Sequence, residues 1–233
     1  MIILALDTTT RGGSVAVVRG GAPPEVLFES TGDPAVTHGQ RLPGEVDRAL
    51  AACGLTAADV GLYAVAAGPG SFTGLRVGIA TIQGFAMAHE RRVVPVSVLD
   101  ALARAGAPGT WTAAWMDAHR GQIFAALYDP AGHRLYEPSA LTPQDTLAAW
   151  RAAAGGEGLP LDRMRFIGDG AERHEPWLRA EGVRHIAPAP ALAPVIGRLA
   201  ADDPGRAVLP HAIVPIYVRR PDAELARERR REP

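Results

Sequence analysis

The sequence contains one pattern of elements twice, and this repetition restricts the folds that the chain can adopt. A short apolar run ends in Asp7, a turn with an Arg-Gly pair follows, and alternating residues then predict a second strand. The same order returns at Asp117, again with an Arg-Gly pair in the turn. A third strand and a helix follow in each half, so the sequence predicts two related lobes. Because hairpins are common, chance similarity is the alternative to an internal duplication.

A break in the pattern at 106–109, where glycine and proline cluster, is the predicted boundary between the lobes. The predicted domains are 1–105 for an N-terminal lobe, 106–218 for a smaller C-terminal lobe and 219–233 for a charged tail. The tail mixes arginine with glutamate, which is typical of a solvated chain end.

A glycine-rich string, GPGSFTGLRVG from Gly68 to Gly78, lies between an apolar run and a helical pattern. A strand, a glycine loop and a helix in this order present backbone N–H groups to an anion. The string lacks the spacing of the dinucleotide fingerprint and the lysine of the P-loop. It is therefore either a nucleotide or anion loop or a tight strand-to-helix connection. The loop residues concerned are Gly68, Gly70, Ser71, Thr73 and Gly74.

The composition excludes several kinds of chemistry. All 24 basic residues are arginine, so Schiff-base and P-loop lysine chemistry are absent. The single cysteine cannot form an internal disulfide, and no apolar run approaches the ~18 residues of a membrane helix. We therefore expect a cytoplasmic protein without membrane contact. A net charge of −1 gives no overall attraction to nucleic acid.

Catalytic residues and metal ligands are not predicted. None of the seven histidines belongs to an H-x-x-x-H or H-E-x-x-H pair, and Ser71 is not in G-x-S-x-G. Asp7 and Asp117 could form a carboxylate pair that suits Mg²⁺ or general-base work. The alternative is that each aspartate caps its own turn.

At Gly68 to Gly78 the sequence resembles the signature of the TsaB/YeaZ family, the smaller Gcp-like (glycoprotease-like) proteins of tRNA threonylcarbamoyladenosine synthesis. The resemblance spans residues 4–219 but is weak between 137 and 210. His119 replaces an arginine of the family pattern, and Gln122 replaces a glutamate. The similar segments are LALDTT at 4–9, HGQRLP at 38–43, PVSVL at 95–99, MDAHRGQIF at 116–124 and PIYVR at 215–219.

The resemblance implies an α/β actin-like ATPase (ASKHA) fold, with two related lobes that each open with a β-meander followed by helices. It implies a non-catalytic, essential subunit for threonylcarbamoylation of the adenosine next to the anticodon (t6A) in ANN-decoding tRNAs. Its partners would be the catalytic paralogue TsaD, which it activates, and the ATPase TsaE, with tRNA reached through the complex. TsaD holds its metal through a His-x-x-x-His pair, which this chain lacks because Leu42 follows His38 at that spacing.

The resemblance also places a partner surface on the helices after Thr37 and Thr73, where a second copy of the chain can bind instead. The predicted interface residues are Leu42, Val46, Ala49, Leu75, Arg76, Ile79 and Gln83. The alternative is that these helix faces pack on the chain's own sheet.

The isolated chain needs no cofactor on this interpretation, and ATP or ADP with Mg²⁺ at the complex interface is left open. Asp7, Thr8 and Asp117 would be vestigial phosphate turns. The alternative function is a stand-alone ATPase of the actin-like class that places Mg²⁺ with Asp7 and Asp117.

Overall fold

Two five-stranded mixed sheets with the same strand order form the framework of the part of the chain that the structure describes. The computed structural model describes residues 1–155 and 158–219, which fall into two compact units. The N-terminal unit comprises Met1–Ala105 and Ala189–Pro215, and the C-terminal unit comprises Gly106–Pro188 and the chain from Ile216. Residues 220–233 of the predicted charged tail lie outside the described residues.

The N-terminal unit opens with the predicted β-meander. Its sheet has the order β3-β2-β1-β4-β5, with β1 antiparallel to β2 and parallel to β4. The elements are β1 (Ile2–Asp7), β2 (Ser14–Arg19), β3 (Glu25–Thr31), α1 (His38–Ala52), β4 (Val60–Gly68), α2 (Phe72–Ala88), β5 (Val93–Ser97) and α3 (Val98–Ala105), with short 3₁₀ turns at Ala57–Asp59, Pro204–Arg206 and Pro210–Ala212.

The central strand β1 is buried on both faces because helices cover each side of the sheet. Leu4 and Leu6 belong to a core cluster with Leu42 of α1 and Ile79 of α2. Successive side chains of a strand point to opposite faces, so Ala5 lies on the other side. There it meets a later helix, α7 (Leu192–Asp202), which packs against β1 and β2.

The position of α7 corrects the predicted domain division, which assigned 106–218 entirely to the C-terminal lobe. The Ala193 N–H donates to the Ser14 hydroxyl at 2.9 Å. A Cβ on Gly197 would lie 2.5 Å from Cγ2 of Val18, so this glycine lets the helix approach the sheet closely. Since Leu192–Gly197 are all buried, the helix needs an open sheet face, and the N-terminal sheet provides it.

The C-terminal unit repeats the topology of the first. Its order β10-β9-β6-β7-β8 again places the first strand of the meander at the centre, beside a parallel neighbour. Its core is aromatic, with Trp115 against Phe166 at 5.1 Å between ring centroids. The elements are β6 (Thr112–Asp117), β7 (Ile123–Tyr128), β8 (Ser139–Leu141), α4 (Pro143–Ala154), β9 (Arg165–Ile167), α5 (Asp169–Arg173), α6 (Glu175–Ala180) and β10 (His185–Ala187).

Across residues 1–155 and 158–219, helices of the length and apolarity required to span a membrane are absent.

Candidate functional site

The glycine-rich string connects β4 to α2, as the sequence predicted. Ser71 is the N-cap residue of α2, and its hydroxyl accepts a hydrogen bond from the Gly74 N–H at 3.3 Å. Side-chain oxygens at this position satisfy one of the free N–H groups of the first helical turn. Thr73 is exposed. The loop therefore places the start of α2 beside the C-terminal end of the central strand β1.

The glycines of the string make room for the chain's own β1–β2 turn. A Cβ on Gly70 would lie 2.5 Å from Cβ of Thr9, and a Cβ on Gly74 or Gly78 would overlap Thr8. The Thr8 hydroxyl donates to the Gly74 carbonyl at 2.8 Å. The sequence left open an anion loop or a tight strand-to-helix connection, and in the structure the close neighbour of these glycines is this internal turn.

Some backbone N–H groups of the predicted anion loop already donate hydrogen bonds to other atoms of the chain. The Ser71 N–H donates to the Thr9 carbonyl at 3.0 Å, and the Gly74 N–H donates to the Ser71 hydroxyl. A phosphate cradle needs such N–H groups pointing at the ligand. These contacts favour the reading of Gly68, Gly70, Ser71, Thr73 and Gly74 as a tight strand-to-helix connection.

Asp7 and Asp117 each cap their own turn, which was the alternative to a carboxylate pair. Oδ1 of Asp7 accepts from the Thr9 N–H at 2.9 Å and from its hydroxyl at 2.6 Å. Oδ1 of Asp117 accepts from the His119 N–H at 2.9 Å, and Oδ2 pairs with Arg173 at 2.7 Å. Within the part of the chain that the structure describes, His, Cys, Asp and Glu do not gather into a group of three that could hold a metal ion.

A buried ion pair on α1 also contacts the β1–β2 turn, in addition to the glycine loop. Arg41 and Glu45 are each only 7% exposed, and Nη1 of Arg41 lies 2.7 Å from both carboxylate oxygens of Glu45. Nη2 of Arg41 donates to the carbonyls of Arg11 and Gly12. The guanidinium therefore ties the helix to the turn.

Arg41, Glu45 and Gly32 are not among the site residues that the sequence predicted. The available signal was the opposite charge at Arg41 and Glu45, one helical turn apart on the face that also carries Leu42 and Val46. Gly32 accommodates the guanidinium, because a Cβ there would overlap it. Nothing in the sequence shows that contact.

His38 completes this cluster, and both of its ring nitrogens have partners. Nε2 lies 2.9 Å from the Thr10 carbonyl oxygen, and Nδ1 lies 2.7 Å from Nη2 of Arg41. A carbonyl accepts and a guanidinium donates, so these partners assign the neutral tautomer with hydrogen on Nε2. Burial, and then the Arg41 charge, lower the pKa of His38 below its ordinary value of 6.5.

His38 is expected to make the stability of the N-terminal unit fall as the solution is acidified. With the folded pKa lowered, the neutral form contributes fully above pH 6.5, and this contribution is lost as pH falls from 6.5 toward the folded pKa. Urea midpoints measured from pH 7.5 to 5 should therefore fall more steeply for the wild-type chain than for His38→Gln. Parallel curves for the two proteins would show that His38 does not titrate in this way.

Five of the predicted interface residues lie in the core of the N-terminal unit and cannot contact a partner directly. Leu42, Val46, Ala49, Leu75 and Ile79 are all buried, at 6% exposure or less. The apolar stripe on each helix packs toward the sheet, which was the alternative interpretation. Of the other two predicted residues, Arg76 is exposed, and Gln83 is half-buried with its amide donating to the Pro210 carbonyl at 2.8 Å.

The outer face of α2 carries small residues between two larger groups. Arg76, Ala80 and Gly84 are exposed, and Met87 is 64% exposed. At the start of the helix the Arg76 guanidinium lies 3.9 Å from the centroid of the Phe72 ring. Side chains three and four positions apart share a helix face, so these residues form one ridge. We call Arg76, Ala80, Gly84 and Met87 the α2 ridge.

The comparisons with known proteins agree with one another. Residues 32–164 match the family model described as TsaD: tRNA N6-adenosine threonylcarbamoyltransferase. An uncharacterized protein of Mycobacterium tuberculosis is 33% identical over 222 residues, covering 95% of this chain and 93% of that protein. The tRNA threonylcarbamoyladenosine biosynthesis protein TsaB of Escherichia coli is 35% identical over 135 residues, 55% of each chain. The solved structure of YeaZ from Pseudomonas aeruginosa superposes with a TM-score of 0.69 at 27% identity, covering 93% of this chain and 99% of that one.

Proposed function

The chain belongs to the TsaB/YeaZ family, and from this premise we propose that it serves as a subunit in the biosynthesis of threonylcarbamoyladenosine in tRNA. The actin-like α/β fold that the resemblance implied is confirmed by the repeated sheet topology and by the YeaZ structure. In the proposed role the chain binds and activates a TsaD-type paralogue, together with a TsaE-type ATPase. The modified base is the adenosine next to the anticodon of ANN-decoding tRNAs.

The proposal that the chain is non-catalytic rests on one observation, which is that both ring nitrogens of His38 already have partners within the chain. His38 occupies the place where the resemblance puts the first histidine of the paralogue's metal pair. Here one ring nitrogen contacts the Thr10 carbonyl and the other contacts Arg41. A metal ligand must offer a nitrogen lone pair, and the lone pair of Nδ1 is directed at Arg41. Leu42, at the second histidine's position, is in the core.

We propose that the α2 ridge, with the exposed face of α1 beside it, is the surface that meets the paralogue or a second copy of the chain. The two helices contact each other, and Gly44, Asp47 and Arg48 are exposed on α1. Small residues such as Ala80 and Gly84 let another helix approach closely, and arginine and methionine are enriched at protein interfaces. This surface replaces the buried residues that the sequence suggested.

Ala80→Arg is expected to weaken binding to the TsaD-type paralogue by roughly tenfold or more, because it places a long charged side chain in the centre of the ridge. The loss should appear in calorimetric titration with the paralogue. It should appear equally as reduced threonylcarbamoyladenosine formation in an assay reconstituted from this chain, the paralogue, the TsaE-type ATPase and a tRNA transcript.

The matched control is Ala148→Arg, the same change at an exposed position of α4 in the C-terminal unit. It should leave partner affinity and tRNA modification unchanged. Equal losses for the two variants would exclude the ridge as the partner surface. Full modification in an assay without this chain would contradict the proposed function itself.

Calorimetry with ATP and Mg²⁺ separates the proposal from a stand-alone ATPase. That alternative needs Asp7 to coordinate Mg²⁺, but Asp7 is 3% exposed and accepts two hydrogen bonds from Thr9. We expect that titration of the isolated chain with ATP and Mg²⁺ gives no binding heat that requires the Asp7 carboxylate. Binding that is abolished by Asp7→Asn would favour the ATPase.

A further inference from the structure

The four methionines of the chain fall into a buried pair and an exposed pair. Met116 and Met164 are 3% and 0% exposed, whereas Met1 and Met87 are 55% and 64% exposed. A Cβ on Gly61 would lie 3.7 Å from the Met1 sulfur, so that sulfur lies against the start of β4. Met87 is therefore the most exposed methionine of the chain, and it belongs to the α2 ridge.

Met87 lies on an ordered helix face rather than on a loop. Just after α2 ends, the Arg91 N–H donates to the Ala86 carbonyl at 2.8 Å. One turn before Met87, the Gln83 amide donates to the Pro210 carbonyl at 2.8 Å. Because these hydrogen bonds hold the end of the helix, a change in the polarity of the Met87 side chain changes the surface that the α2 ridge offers to a partner.

The single cysteine is a poor competitor for oxidants. Cys53 is half-buried at the end of α1, and burial raises the pKa of its thiol. Oxidation of cysteine proceeds through the thiolate, so a thiol with a raised pKa reacts slowly near neutral pH. The exposed thioethers are then the sulfur atoms of the chain that a peroxide reaches first.

We propose that Met87 is an oxidation site at which hydrogen peroxide weakens the binding of the TsaD-type paralogue to the α2 ridge. The inference rests on the proposed function, in which this ridge meets the paralogue. The sulfur lone pair attacks one peroxide oxygen, the O–O bond breaks, and the other oxygen leaves as water after proton transfer. Sulfur is oxidised to the sulfoxide, and the peroxide is reduced.

The sulfoxide oxygen affects the bound state and not the free one. In the free chain, water solvates the new oxygen, so the folded structure of the N-terminal unit is retained. Against the apolar surface of a partner, the same oxygen loses its water without gaining a donor, which is unfavourable. Methionine sulfoxide reductases, one for each sulfoxide epimer, restore the thioether, so the change is reversible.

Peptide mapping by mass spectrometry of the full chain treated with hydrogen peroxide tests the site itself. Met87 should be oxidised roughly tenfold faster than Met116 or Met164, because reaction follows exposure. Bound paralogue should slow the oxidation of Met87 but not that of Met1. Oxidation of Met87 at the rate of the buried methionines, or at the same rate with and without the paralogue, would overturn the proposal.

Calorimetric titration with untreated paralogue tests the effect on binding, after the chain alone has been treated and the peroxide removed. Oxidation should weaken binding roughly tenfold, and both reductases together should restore it, while the urea midpoint of the free chain stays unchanged. Cys53→Ala should retain this loss, whereas Met87→Leu should bind equally before and after treatment. A loss that persists in Met87→Leu, or that disappears in Cys53→Ala, would contradict the role of Met87.

The modification assay distinguishes failure of this inference from failure of the proposed function. If the chain oxidised at Met87 binds the paralogue and supports tRNA modification as well as the untreated chain, only the inference is wrong. If the untreated chain neither binds the paralogue nor is needed for modification, the proposed function is wrong, and the inference fails with it.

Discussion

Gly74→Ala is expected to lower the free energy of unfolding of the N-terminal unit by about 3 kcal/mol. The added methyl group would overlap the carbonyl oxygen of Thr8, which is backbone and cannot rotate away. Relief requires α2 to move from the end of β1, which breaks the hydrogen bond from the Thr8 hydroxyl to the Gly74 carbonyl. Since a domain is stable by only about 5–15 kcal/mol, much of the stability of this unit would be lost. Urea unfolding followed by far-UV circular dichroism measures the change.

Gly84→Ala in the same helix is the control, and its effect should have the opposite sign. A Cβ on Gly84 meets nothing within 4 Å. Alanine in an unobstructed helix is favoured over glycine by about 0.5–1 kcal/mol, so the urea midpoint should rise. If the two alanine variants changed stability alike, the close contact between α2 and Thr8 would not be the reason for glycine at position 74.

Glu45→Ala is expected to destabilise the N-terminal unit by about 3–5 kcal/mol, because it leaves the buried Arg41 charge without its carboxylate. The hydrogen bonds from Arg41 to the β1–β2 turn remain available, so the loss reports the ion pair and the gap left by the side chain. The measurement is again urea unfolding by circular dichroism, at pH 7.5 to keep His38 neutral.

Asp47→Ala is the matched control, since it removes an exposed carboxylate from the same helix. Surface changes of this kind usually alter stability by no more than about 0.5 kcal/mol. The double variant Arg41→Met with Glu45→Leu should recover part of the loss of Glu45→Ala, because no unpaired charge is then buried. A Glu45→Ala effect as small as that of Asp47→Ala would mean that the pair is solvated in solution.

The sequence predicted the doubled β-meander and the strand–loop–helix around Gly68 because both depend on local patterns. Alternation of apolar residues identifies a strand, and turn residues identify its end. It could not predict that α7 packs on the N-terminal sheet, since that contact joins Ala193 to Ser14 across most of the chain. Amphipathic character shows that a helix face is buried but not what buries it.

For the same reason, the sequence showed that residues of the candidate site are buried or closely approached, but not which part of the chain contacts them. The apolar face of α1 and α2 was visible in the sequence, and the structure shows that the sheet covers Leu42 and Ile79. The glycines at 70 and 74 signalled a close approach. Their neighbour, the turn at Thr8 and Thr9, is distant in sequence and became evident only in three dimensions.

The aromatic core of the C-terminal unit determines which optical signals report on each half of the chain. All 4 tryptophans, at positions 111, 115, 150 and 177, belong to that unit. Trp115 lies within 6.5 Å of the ring centroids of Trp150 and Trp177. Intrinsic tryptophan emission is thus a spectroscopic label built into one unit, and a second probe, such as the ellipticity of both sheets, is needed to see the other. A difference between the two denaturation curves would resolve the order in which the duplicated halves lose their structure.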